Sequence, residues 1–167
     1  MFPHLKLVTA VGLTVVLAST DAHAKASFMA KPAMIKSAAV IAIVEITSVE
    51  QVSIKGPHWT YGQKATANVV TALKGTLPKT VALMGDEDFI CAQCHFEPGR
   101  YIVFLNRDPK TGFLTGANWQ LSTRKITGAS VEWFADDMDP FKTQVVELQD
   151  AVKEIGKRVA EQLPPSK

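Results

Sequence analysis

Two cysteines and a histidine stand together at residues 91–95, CAQCH, the densest group of reactive side chains in the sequence. Three kinds of chemistry fit that spacing. As Cys-x-x-Cys-His, the loop is a haem-attachment signature. Cys91 and Cys94 would form thioethers to the haem vinyl groups, and His95 would be the axial iron ligand. Met84, Met138 and His58 are then candidates for the second axial position. As a cysteine pair in an oxidising compartment, Cys91 and Cys94 would instead close a short disulfide loop, leaving His95 an ordinary loop residue. As thiols, the pair would serve redox exchange or hold a soft metal such as copper. The disulfide with no cofactor is the expected state, and haem c is the alternative.

A second set of candidates is aromatic. Trp59 and Tyr61 lie in a loop, HWTYGQ, and Trp119 in a later one, where such rings can line a surface for a carbohydrate or peptide. The acidic groups Asp86-Glu87-Asp88 and Asp136-Asp137 with Asp139 lack calcium-loop spacing and read as solvated turns. No Gly-Lys-Ser/Thr phosphate loop, Gly-x-Ser-x-Gly elbow or His-Glu-x-x-His motif occurs, so no catalytic residue is nominated and the expectation is a protein that is not an enzyme. The net charge is +2, with basic and acidic residues interspersed. That pattern offers no phosphate-binding stripe, so nucleic acid is not an expected partner.

These residues must be held by strands. Residues 38–54 are rich in Val, Ile and Thr, and their apolar first half predicts burial on both faces. Further strands are predicted at 64–73, 80–84, 100–106, 113–115, 119–126 and 130–134, separated by Gly and Pro turns, with a short helical turn at 31–37. Strands at this spacing predict a mainly β chain closed into an antiparallel, OB-fold-like barrel. The period then changes. Phe141, Val145, Leu148, Val152, Ile155 and Val159 recur at steps of four and three, predicting an amphipathic C-terminal helix over 140–163 with Asp139 as its cap and Pro140 in its first turn. Residues 164–167 read as a tail.

The start of the chain reads as an address. A basic opening, an apolar run over 7–18 and the small-residue pattern Ala22-His23-Ala24 predict a signal peptide over 1–24. The run is too short to span a bilayer, and no later stretch supplies a span. The expectation is an exported chain, periplasmic or extracellular, with a single domain over 25–163.

The string SAAVIAIVEITSVE, ATANVVTALKG, TVALMG, a Cys, FEPGRYIVFL and NWQLS resembles bacterial exported proteins of the tissue-inhibitor-of-metalloproteinases-like (netrin-like) OB-fold group, over residues 38 to about 134. The resemblance implies an OB fold, and an inhibitor-like or protein-interaction role towards an unidentified protein or envelope component. The expected mature chain starts Lys25-Ala26-Ser27 rather than with the zinc-chelating Cys of the animal inhibitors, so the implication extends to fold and not to that mechanism.

Overall fold

The computed structural model describes residues 25–162. The expected signal peptide, the tail and the final position of the expected helix lie outside the described residues. The elements are helix α1 (Lys31–Ser37), strands β1 (Val40–Lys55), β2 (Thr60–Lys74), β3 (Thr80–Glu87), β4 (Gly99–Arg107) and β5 (Leu114–Gly116), a 3-10 turn (Trp119–Ser122), strands β6 (Thr123–Thr127), β7 (Ser130–Phe134) and β8 (Thr143–Glu147), and helix α2 (Leu148–Ala160).

Five strands close a ring in the order β1, β2, β3, β5, β4 and back to β1. Every pairing in the ring is antiparallel except that of β3 with β5, where Leu83 and Met84 run parallel to Leu114 and Thr115. Strands β6, β7 and β8 continue the sheet from β4. The chain is thus a mainly β, OB-fold-like barrel with a C-terminal helix.

Alternation along β1 and β4 builds two cores. Val40, Ala42, Val44 and Ile46 face the barrel interior with Tyr101, Val103 and Leu105 of β4. Ile41 and Ile43, with Ile102 and Phe104, face the other way, against α1, α2, β6 and β7. This is the burial on both faces that the apolar first half of β1 predicts. The outer core centres on Phe104, Trp133 and Phe134, whose ring centroids lie 5.2 Å to 6.3 Å apart. Truncating one such buried ring costs about 3–5 kcal/mol.

Residues 143–147, expected inside the helix, form β8 instead. The stretch TQVVE fits either period, and β7 offers it an unpaired edge, with Ser130–Phe134 opposite Thr143–Glu147. Val145, expected on the buried stripe, is 75% exposed, and Phe141 is also exposed. Asp139 accepts a hydrogen bond from the Phe141 N–H within the β7–β8 turn, so it caps that turn and not the helix. In the rest of the stripe, Leu148 and Ile155 are buried, and Val152 and Val159 are partly buried against the same core.

A buried lysine ties the two helices together. Lys31 Nζ on α1 lies 2.8 Å from both Asp137 and Glu154, and Arg158 pairs with the same two acids.

Candidate functional site

Alternation along β3 sets its inward side. Val81, Leu83, Gly85 and Glu87 are buried there, while on the other side Thr80 and Ala82 are exposed, Met84 is buried and Asp86 is half-buried. Asp86 and Glu87, read as part of an acidic turn, are therefore the end of a strand, and the Glu87 carboxylate is buried.

The cysteine loop folds back over that end. Its burial alternates: Ala92, Cys94 and Phe96 are buried, while Cys91, Gln93 and His95 are exposed. In an extended chain, successive side chains point to opposite sides. Residues 92–96 follow that alternation, which turns Cys94 in and His95 out, and Cys91, in the turn before them, is exposed.

The expected Cys91–Cys94 disulfide is not formed among the described residues: Cys94 is 0% exposed inside the barrel while Cys91 lies at the surface. The Cys94 seat is shaped by Gly116 and Gly85. A Cβ on Gly116 would come within 2.7 Å of the Cys94 sulfur, and one on Gly85 would overlap the Cys94 carbonyl oxygen.

Polar groups lock the loop in this register. The Cys94 N–H donates to Glu87 Oε2 at 2.8 Å, the Phe96 N–H donates to Gln63 Oε1 at 3.0 Å, and the Asp86 N–H donates to the Cys94 carbonyl at 2.9 Å. His95 Nδ1 lies 2.9 Å from Asp86 Oδ1 at the surface. Burial pushes the Cys94 thiol well above its ordinary value, and the charges of Glu87 and Asp86 add to the shift.

That arrangement does not fit a haem. Attachment needs both sulfurs and the His on one side of the loop, and Cys94 is turned into the core away from Cys91 and His95. Nor does the buried thiol have the stabilised thiolate that redox exchange uses. Among the described residues, no group of three or more His, Cys, Asp or Glu is placed to hold a metal ion.

The aromatic candidates do come together. A groove of about 520 Å³ is lined by Trp59, Tyr61 and Trp119. His58 and Trp59 reach it from the β1–β2 loop, and Asp108 and Pro109 from the β4–β5 loop. In OB folds these two loops flank the ligand site.

Trp59 and Trp119 pack at 5.9 Å, and Phe89 joins both, 5.0 Å from Trp59 and 5.1 Å from Trp119. Tyr61 belongs to β2 and not to a loop. It is 4% exposed and packs edge-on to Phe113, so it backs the groove and is not a surface aromatic. Burial, then the charges of Glu87 and Asp108, push its phenol up.

Trp119 stands out by its backbone. Its φ is +50°, a conformation that a bulky side chain rarely adopts. Such strain persists only where the surroundings enforce it, and it clusters at functional sites. Asn118, buried just before it, supplies the enforcement. Its N–H donates to Ser122 Oγ at 2.7 Å, its Oδ1 accepts from the Met29 N–H at 2.8 Å, and its Nδ2 donates to the Ser27 carbonyl at 2.9 Å.

Sequence reasoning missed Phe89 and Asn118, and placed Glu87 in a solvated turn. Phe89 sat unread beside the cysteines. The alternation V-x-L-x-G-x-E, continued one step past the Gly85 turn signal, was the available pointer to Glu87. Asn118 had no local signal, because its partners lie in the N-terminal segment.

No family model matches the chain, and no curated protein matches it. Function is therefore read from the groove.

Proposed function

We propose that this chain is an exported, non-enzymatic OB-fold domain that binds a segment of a partner protein or envelope component in the groove between its β1–β2 and β4–β5 loops. The observation that carries the reading is the Trp59–Phe89–Trp119 cluster, with Trp119 held at positive φ in the place where OB folds bind ligands. A site on a fold is argued from its own residues, and the rings argue for a side chain as the ligand. Their planes meet at 39°, 71° and 34°. They make a corner that wraps a side chain, not the flat platform on which a sugar or nucleobase stacks. The likeness in strand and turn pattern to the exported inhibitor-like OB-fold group supports the same role.

The test is selection of a displayed random-peptide library on the full chain and on its Trp59→Ala/Trp119→Ala variant. Peptides retained by the first and released by the second support the reading. Equal retention, with the variant folded by circular dichroism, overturns it.

A further inference from the structure

Glu87 is the one acid of the groove that the fold buries, and nothing basic answers it. It lines the groove at 3% exposed. Among the described residues it takes part in no ion pair, since the salt bridges all involve other acids. Its carboxylate oxygen Oε2 accepts from a backbone N–H, that of Cys94. A buried carboxylate without a cation is a costly arrangement, and a cation brought to it recovers part of that cost. Tyr61, Trp59 and Trp119 line the same groove. Aromatic faces attract cations, most strongly where water is excluded.

We propose that the groove recognises a lysine or arginine side chain of its protein partner, with Glu87 as the counter-charge at the floor and the Trp59 and Trp119 rings flanking the aliphatic stem. The inference rests on the groove being the binding site.

The outer rim sets a second condition. Lys25 and Arg107 line it and are exposed, so a uniformly basic segment is repelled there, although Asp108 offsets part of that charge. Arg107 is held in place by donating from Nη1 to the Gly112 carbonyl at 3.0 Å. The partner segment that fits is a single basic residue with acidic or neutral neighbours.

The experiment uses the peptides selected on the full chain. They are expected to share one basic residue. Replacing that residue with norleucine, which keeps the stem and removes the charge, is expected to weaken binding about tenfold or more. Glu87→Gln, which keeps an acceptor for the Cys94 N–H, is expected to erase the difference between the two peptides. If norleucine peptides bind as tightly as the parents, or if Glu87→Gln preserves the preference, the cation inference is overturned while the groove reading stands. If no peptide is retained in excess of the Trp59→Ala/Trp119→Ala variant, both fail. The norleucine arm needs no protein variant, so its outcome does not depend on how a mutant folds.

Discussion

The Glu87 carboxylate accepts a 2.8 Å hydrogen bond from the Cys94 backbone N–H, so the last residue of β3 fixes which way the cysteine loop faces. Burial raises the Glu87 pKa, with Asp86 adding to the shift and its backbone hydrogen bonds opposing it. An acid raised in the native state contributes stability below its unfolded value, here 4.5, that is lost as pH rises through the native value. Glu87→Gln does not titrate. Urea unfolding at pH 4 and pH 8 is expected to show the variant gaining on the wild type as pH rises. A constant difference across that range contradicts the burial of a titrating carboxylate.

Cys94 tests the register of the loop. With the protein native at pH 8, a maleimide is expected to leave Cys94 unmodified, and to modify it once urea unfolds the chain, as read by peptide mass mapping. Protection follows from complete burial and from a thiol held well above its ordinary pKa. Rapid native labelling of Cys94, or a mass showing haem or a bond to Cys91, would require the sulfur to face out of the barrel.

The positive φ of Trp119 makes a comparison of two truncations informative. Trp119→Ala and Trp119→Gly both delete the ring, but only Gly accepts φ of +50° without strain. The Gly variant is expected to be more stable than the Ala variant by about 1 kcal/mol. The reverse order, by thermal or urea unfolding, would show that the backbone there is not strained.

Lys31 joins α1 to α2 through Asp137 and Glu154. Lys31→Met is expected to cost about 1–3 kcal/mol at pH 7, between the values for exposed and fully buried pairs, since the two acids are partly solvated. The Lys31 hydrogen bond, then that of Arg158, holds Asp137 below its ordinary value. Burial raises Glu154, but the hydrogen bonds from Lys31, Trp133 and Arg158 outweigh it and leave it lowered. Acids lowered in the native state contribute stability that is full above their unfolded values, 3.8 and 4.5, and lost as pH falls through the native ones. The penalty of Lys31→Met is therefore expected to shrink between pH 7 and pH 3, measured by urea unfolding. A penalty that does not change with pH contradicts the ion-pair account.

Much of the barrel was legible because its strands carry their period in the sequence. The dense apolar start of β1, buried on both faces, and the aromatic and β-branched run of β4 needed no tertiary information. The closing contact of β3 with β5 was not legible, since it joins two residues on each strand across a long stretch of chain. The start of α2 was misplaced because TQVVE suits two periods, and the free edge of β7 decides between them. For the site, CAQCH names its residues but not their direction. Only the folded loop, with its alternating burial, turns Cys94 in and leaves Cys91 and His95 out. The groove was half legible. Trp59 and Trp119 drew attention as aromatics in loops, but Phe89 and Glu87 depend on where β3 ends and how the next loop folds over it.

The three tryptophans offer the most direct test of the groove. Trp59 and Trp119 line it, while Trp133 is buried in the outer core and donates from Nε1 to Glu154 at 2.7 Å. Their indole N–H signals are to be followed by nitrogen–proton NMR as a selected peptide is titrated into the full chain. The Trp59 and Trp119 signals are predicted to move progressively to saturation with Trp133 unmoved. Binding that shifts Trp133, or that leaves Trp59 and Trp119 in place, would put the site elsewhere and contradict the account.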